Sequence, residues 1–341
     1  MPKTFRIPYG KTHLAFAAPK GVFLTTLESR SCRGLESPKS ALAKALRAPL
    51  GAKPLSQLAK TAKSACIVIS DITRPVPNSM ILGQILPLLE KAGIPRSKTT
   101  ILIGTGTHRP APPAEIKTLV GPDVARRYRV ISHSCHKGNV HIGSVVNPLC
   151  RVDIPIEFDR IYMNADLKIV TGLVEPHIFC GYSGGRKAIL PGIASLRTIR
   201  KWHCPEIVAH KHSTPGVLKG NVAHRLTAKA ARIAGCDFCV NVTLNRSRQV
   251  TGVFAGDPAR VFAAAVKKVE SYVLTRSVPP AKVVVTSSAG WPLDLTFYQA
   301  IKGLVAILPV FAKGGVVVLV AKCDEGLGDA LFESLIRCTS D

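Results

Sequence analysis

The 341-residue sequence carries 46 Lys and Arg against 21 Asp and Glu, a formal charge of +25, with 46% apolar and 20% charged residues. That hydrophobic fraction excludes a disordered chain, and 27 Gly and 25 Pro without a three-residue period exclude collagen. No stretch approaches the ~18 uninterrupted apolar residues of a membrane span, and roughly 150 residues per domain predicts two domains. The opening MPKTFRIPYGKTHLAF has no apolar leader region, so no secretory signal and a reducing, cytoplasmic location are expected. Ten cysteines are too few for a disulfide scaffold. Cys66 and Cys180 stand in apolar context and read as buried free thiols. Cys236 and Cys239 form a CxxC with no second ligand pair at zinc spacing, so they define no metal site. The charge points to nucleic acid, an acidic membrane surface or an anionic small molecule. The basic residues are scattered singly, however: the first 63 residues hold twelve Lys and Arg against Glu28 and Glu36. With no zinc-finger or aromatic-interleaved signature, specific nucleic-acid recognition is not expected.

In chain order, residues 5–19 read as two short strands about the turn Tyr9-Gly10-Lys11. Residues 37–48 have helical spacing, with Leu42, Ala45 and Leu46 on one face, and Leu55 and Leu58 open a second short helix after Pro49 and Pro54. A repeated unit follows. The apolar run 65–70 ends at Asp71, residues 78–92 are an apolar-periodic helix, and the runs 99–106, 126–134 and 166–174 are further strands. Apolar strands alternating with helices predict a parallel α/β sheet, in which ligands bind beyond the carboxyl ends of the strands. Those ends carry Asp71 and Arg74, then Thr107, His108 and Arg109, then His133, then Glu175 and His177. A long helix over 259–273 precedes a boundary near Val278-Pro279-Pro280. Beyond it, 281–290 opens a strand-turn-helix unit and 314–323 supplies another strand. The expected domains are 1–275 and 281–341, both α/β.

The densest segment is 175–203. Gly181, Gly184 and Gly185 let backbone approach a ligand, and Arg186 and Lys187 add positive charge. Neither GxxxxGK[ST] nor GxGxxG is present, so no generic phosphate loop is defined. His108 and His177 suit paired acid–base work in one cleft, although taken alone each is better read as a satisfied loop histidine. His203 is a possible metal ligand, but one imidazole does not make a site. In 287–303, Asp294, Tyr298, Gln299 and Lys302 follow a strand. Gln299 and Lys302, three apart, share a helix face, where the lysine either holds a carboxylate or is simply solvated.

Taken together and in order, DITRPVP (71–77), GTGTHRP (104–110), EPHIFCGYSGGRKAILPGI (175–193), IRKWH (199–203) and DLTFYQAIKG (294–303) resemble the nickel-dependent lactate racemase family. The resemblance runs from about residue 6 to the C-terminus. It implies an isomerase, a racemase or epimerase of 2-hydroxy acids with lactate as the default substrate. It also implies a nickel-pincer nucleotide (pyridinium-3-thioamide-5-thiocarboxylic acid mononucleotide) delivered by cofactor-biosynthesis proteins. By the same resemblance, Lys187 carries the cofactor covalently within a cofactor-binding segment of Tyr182, Ser183, Gly184, Gly185 and Arg186. His203 ligates the nickel, and His108 and His177 are the catalytic acid/bases. Arg74, Asp71, Thr107, Tyr298, Gln299 and Lys302 position the substrate.

The chemistry is coherent with these roles. Inverting C2 by moving a hydride to the cofactor and returning it to the other face needs one base for each enantiomer, hence two histidines. Arg74, Arg109, Arg186 and Lys302 are available to hold a substrate carboxylate and a nucleotide phosphate. Two segments depart from the family: Ser132-His133-Ser134 lacks an acidic partner, and 143–155 lacks a basic, Gly-containing pattern. The chain also ends earlier than family members do. The expected architecture is therefore a cofactor-binding N-terminal domain and a truncated second domain, with the active site in the cleft between them. The alternative is a non-catalytic homologue serving as an anion- or nucleic-acid-binding module.

Overall fold

The computed structural model describes residues 4–273, 278–328 and 330–338. The end points 275 and 341 of the expected domains lie outside the described residues. The chain forms two compact units, one of Arg30–Val273 and one of Met1–Ser29 with Leu274–Asp341. The opening hairpin, β1 (Thr4–Tyr9) and β2 (Thr12–Ala17), therefore groups with the C-terminal residues and not with the N-terminal domain expected for it. The reason is specific hydrogen bonding. The Gly10 amide donates to Asp294 Oδ2 at 2.8 Å, and the Trp291 amide donates to the Gly10 carbonyl at 2.8 Å.

The larger unit begins with α1 (Pro38–Arg47), whose Ser37 side chain accepts from the Ser40 amide and whose Leu42 and Leu46 are buried. It continues through α2 (Leu55–Ala59), β3 (Ala65–Ser70), α3 (Asn78–Lys91), β4 (Thr99–Gly104), α4 (Pro113–Val120), α5 (Pro122–Arg127) and β5 (Arg129–Ser132). Arg126 and Arg127, expected at the start of the third strand, end α5 instead. Next come an antiparallel pair, β6 (Asn139–Val146) and β7 (Asp153–Asp159), the short α6 (Arg160–Met163), and β8 (Leu167–Leu173). A two-residue hairpin, β9 (Pro176–His177) and β10 (Gly181–Tyr182), leads through a 3-10 turn at Gly185–Ala188 to α7 (Leu196–Trp202) and α8 (Pro205–Val208). The unit closes with α9 (Val222–Ala234), β11 (Phe238–Leu244), β12 (Val250–Gly256) and α10 (Pro258–Val273).

Six strands form one sheet in the order β12-β11-β8-β3-β4-β5. The five from β11 to β5 are parallel and β12 is antiparallel, a departure from an all-parallel sheet. A connection of five residues between β11 and β12 reverses the chain directly, whereas parallel neighbours need a long crossover. The sheet is buried on both faces. Ile67, Ile69, Ile101 and Ile103 pack with Leu42, Ile81, Leu82 and Ile85 on one side. Cys66, Val68, Leu102 and Val170 pack with Phe158, Trp202 and Leu226 on the other. This two-sided burial explains why β3, β4 and β8 read as continuous apolar runs. The order β8-β3-β4-β5 places the four strand ends that bear the singled-out polar residues side by side.

The smaller unit pairs β13 (Ala281–Ser287) parallel with β14 (Phe311–Val320) through α11 (Phe297–Ala300) and α12 (Lys302–Ile307), and ends in α13 (Ala330–Cys338). Among the described residues, no helix is long and apolar enough to cross a membrane.

Candidate active site

The loops after β3, β4 and β8 are tied together by charged side chains. Asp71 directly follows β3 and is buried, and its Oδ2 lies 2.6 Å from His108 Nδ1. Its other oxygen accepts from the Thr73 amide at 3.2 Å and the Thr73 hydroxyl at 2.7 Å. Burial pushes the Asp71 carboxyl up, but the His108 contact, Thr73 and Arg74 together hold it below its ordinary range. An ionised carboxylate at that distance assigns the Nδ1 proton to His108 and leaves its Nε2 as the acceptor. Asp71, expected among the substrate-positioning residues, is in contact with His108. Arg74 reaches the loop after β8, with Nε 3.6 Å from Glu175 Oε1. Thr107 is exposed beside His108.

His177 is buried on β9, opposite Gly181 in register. Its Nδ1 accepts from the Cys180 amide at 3.3 Å and, at 3.5 Å, from the Phe179 amide. In the neutral ring the proton is therefore on Nε2, the reverse of His108.

Phe179 is the hub that sequence reasoning missed. Its ring centroid lies 5.0 Å from His177, 4.9 Å from His203 and 5.2 Å from Trp202. The Lys187 amine sits 5.7 Å from the Phe179 ring centroid, 5.3 Å from that of Trp202, and 3.9 Å from Cys180 Sγ. An apolar residue between His177 and Gly181 carries no chemical signal, so only the contacts reveal it. Burial pushes the Lys187 amine below lysine's ordinary range. The Cys180 thiol opposes this, and Arg74 and Arg186 reinforce it. His203 caps α7 and keeps part of its surface open to solvent, yet desolvation of the ring and then nearby Lys187 lower its pKa. Lys187, His203 and His177 thus gather around one aromatic ring. The strand-end loops join them through backbone, since the Gly106 amide donates to the Gly192 carbonyl and the Gly192 amide to the Lys187 carbonyl.

The rest of the 182–186 segment faces the scaffold. Tyr182 is buried and its hydroxyl reaches Glu270 on α10 at 3.2 Å. The Ser183 hydroxyl donates to the Leu173 carbonyl at 2.7 Å and accepts from the Glu175 amide at 3.1 Å, fastening the loop to β8. Gly184 has φ +83°, and a Cβ there would lie 2.6 Å from Val174 Cγ2 and 3.1 Å from the Leu173 carbonyl oxygen. Its glycine is thus demanded by packing on β8. The Gly185 amide is held by Asn241 Oδ1 at 3.1 Å. Arg186 is buried, with its guanidinium 3.5 Å from the Phe262 ring centroid and a nitrogen on His224 Nδ1. Desolvation pulls Arg186 down to about 10, and desolvation followed by Arg186 brings His224 down to about 4. Arg109 pairs with Glu115 at 3.0 Å.

His133 does have an acidic partner, supplied from β7. Its Nδ1 lies 2.8 Å from Asp159 Oδ2, and its Nε2 2.9 Å from the Ala194 carbonyl. Cys236 and Cys239 join no metal-holding group among the described residues. In the smaller unit, Lys302 Nζ contacts Gln299 Oε1, Gln299 is buried, and Tyr298 meets Phe332 edge-on at 5.0 Å.

The larger unit is thus an α/β scaffold that presents two oppositely oriented histidines, a half-buried lysine and an arginine at adjacent strand ends. Residues 9–216 match the lactate racemase N-terminal domain, and residues 277–341 match the lactate racemase C-terminal domain. The lactate racemase of Thermoanaerobacterium thermosaccharolyticum is 35% identical over 339 residues, which cover 98% of this chain and 78% of that protein. The lactate racemase of Lactiplantibacillus plantarum is 33% identical over 301 residues, 87% of this chain and 69% of that one. The solved structure of the Thermoanaerobacterium apoprotein superposes with a TM-score of 0.86 and 33% identity, covering 99% of this chain and 79% of that one. A Thermotoga maritima structure at TM-score 0.64 and 20% identity, covering 79% of this chain and 70% of that one, shares the fold. The chain belongs to the lactate racemase family.

Proposed function

We propose that this protein interconverts the enantiomers of lactate by two-histidine acid–base chemistry on a covalently held nickel nucleotide. The observation that carries the reading is the opposed pair of histidines, His108 oriented by Asp71 at 2.6 Å and His177 oriented by backbone amides, on loops joined through Arg74 and Glu175. His108 presents an acceptor and takes the substrate hydroxyl proton. For His177 to return a proton to the oxygen once the C2 plane has turned over, it must enter the step as the imidazolium and end neutral, while His108 ends protonated; exchange with solvent restores the starting state. By resemblance, Arg74 holds the substrate carboxylate.

The side chains fit the implied cofactor. A desolvated lysine amine is weighted toward its neutral, nucleophilic form, the form that covalent attachment needs. By the family resemblance, His203 would supply the one protein ligand to the nickel. When bound, that cofactor supplies the acceptor for the C2 hydrogen and its electron pair. Ten free cysteines fit a reducing compartment such as the cytoplasm.

Co-expression with the cofactor-biosynthesis proteins tests the reading. Intact mass spectrometry is expected to show an adduct that Lys187→Ala removes, and chiral chromatography to show D-lactate formed from L-lactate. An unmodified, nickel-free protein under those conditions overturns the cofactor assignment. A modified protein inert toward lactate overturns the substrate.

A further inference from the structure

Cys180 is a buried free thiol that the acid–base chemistry does not use. It stands in the bend between β9 and β10 and touches two of the functional side chains. Its amide donates to His177 Nδ1 at 3.3 Å, and its Sγ lies 3.9 Å from Lys187 Nζ. The bend is pinned on both sides of it. Asn221 Nδ2 donates to the Phe179 carbonyl at 2.9 Å, and the Tyr182 amide donates to the Cys180 carbonyl at 2.9 Å. Gly181, at φ +74°, has no room for a side chain, since a Cβ there would lie 2.4 Å from the Val217 carbonyl oxygen. The thiol is thus a fixed point of the loop.

The Lys187 amine has little else to direct it. Among the described residues, Cys180 Sγ is its hydrogen-bond partner, and no carboxylate lies within ion-pair distance. The Phe179 and Trp202 rings offer apolar surface, and Arg74 and Arg186 repel its charge. A long lysine side chain loses rotamer freedom when it is fixed, so one directional contact decides where its amine sits. The chemical type of that contact matters. A carboxylate would hold the ammonium form by ion pairing, and an ammonium has no lone pair with which to form a bond. An alanine would leave the half-buried amine free to turn away from the two arginines toward solvent. A thiol offers a weak sulfur acceptor without a charge, because burial pushes Cys180 above the ordinary thiol range against the pull of Lys187 and Arg186.

We propose that Cys180 is the positioning residue for Lys187: its sulfur accepts an N–H of the amine and holds Nζ against Phe179 and Trp202, turned for cofactor attachment. The same residue fixes the His177 ring through its backbone, so one bend sets the attachment point and one acid/base together. The attachment role rests on the reading of Lys187 as the cofactor's anchor, whereas the placement of the amine does not.

Two measurements test it. In the cofactor-free full chain, isotope-labelled at the lysine ε carbons and observed by NMR, the Lys187 signal is assigned by its absence in Lys187→Ala. It is expected to carry the ring-current shift of Phe179 and Trp202. Cys180→Ala is expected to move it to the position of exposed lysines, and Cys180→Ser, which keeps an acceptor, to leave it displaced. In protein co-produced with the cofactor-biosynthesis proteins, intact mass is expected to show the adduct forming about tenfold more slowly on Cys180→Ala than on the parent, with most of the rate restored by Cys180→Ser. Neither substitute is larger than cysteine, so neither overpacks the bend. A Lys187 signal indifferent to Cys180→Ala, an adduct that forms as fast on Cys180→Ala as on the parent, or a Cys180→Ser variant as poor as Cys180→Ala overturns the proposal. A parent that gains no adduct while its Lys187 signal still responds to Cys180→Ala overturns the cofactor reading instead, and the attachment role with it.

Discussion

Asp71→Asn isolates the orientation of His108. Asp71 Oδ1 receives two donors from Thr73, so an asparagine keeps its oxygen there and turns its amide nitrogen to the Oδ2 position. That nitrogen then donates to His108 Nδ1, where the carboxylate had accepted from it at 2.6 Å. The ring is forced to carry its proton on Nε2, and the acceptor that takes the hydroxyl proton disappears. Acid–base catalysis and its orienting carboxylate are together worth roughly a hundred- to ten-thousand-fold in kcat. Converted at ~1.4 kcal/mol per tenfold, this is about 3–5.5 kcal/mol of barrier. The protein co-produced with its cofactor is to be assayed for D-lactate from L-lactate by chiral chromatography, with the Lys187 adduct verified by mass. The expected result is a kcat loss in that range with little change in KM. Asp71→Ala, which imposes no tautomer, should lose no more than Asp71→Asn. A kcat within threefold of the parent, with the adduct intact, refutes the assigned tautomer and its role.

Two further outcomes follow from the scaffold beneath the site. Gly184→Ala places a Cβ 2.6 Å from Val174 Cγ2 on backbone at φ +83°. Overpacking and left-handed strain together should lower stability by about 2–4 kcal/mol, seen as a lower urea midpoint at unchanged slope. A midpoint at or above the parent's contradicts the packing argument. His224, brought down to about 4 by desolvation and Arg186, binds its proton more readily in the unfolded chain. Stability should therefore fall as pH drops from about 6.5, the ordinary histidine value, toward 4. His224→Asn should flatten that limb of a denaturation series, and an unaltered slope assigns the pH dependence elsewhere.

Much of the fold is legible in the sequence because two-sided burial writes itself as uninterrupted apolar runs. ACIVIS, TTILIG and LKIVTGL became β3, β4 and β8, and the helical spacing of 37–48 became α1. The motifs that identify the family are local as well, since strand-end loops keep their reactive residues in short words of sequence. Pairing between distant segments is a different matter. Nothing near His133 predicts Asp159 as its partner, nothing near Gly10 predicts Asp294, and Phe179 is only an apolar letter until three rings surround it. The direction of each side chain is equally hidden. Arg186 and Lys187 are adjacent and alike in charge, but the 3-10 turn sends one guanidinium onto Phe262 and the neighbouring amine toward Trp202. Sequence alone determined the buried strands β3, β4 and β8, the order of the motifs and the chemical groups available, because these depend on local pattern, whereas β6, β7 and β9–β12 emerged only in the structure. Which of those groups face one another was decided by the packing of the chain, because a side chain's direction depends on neighbours that are remote in sequence.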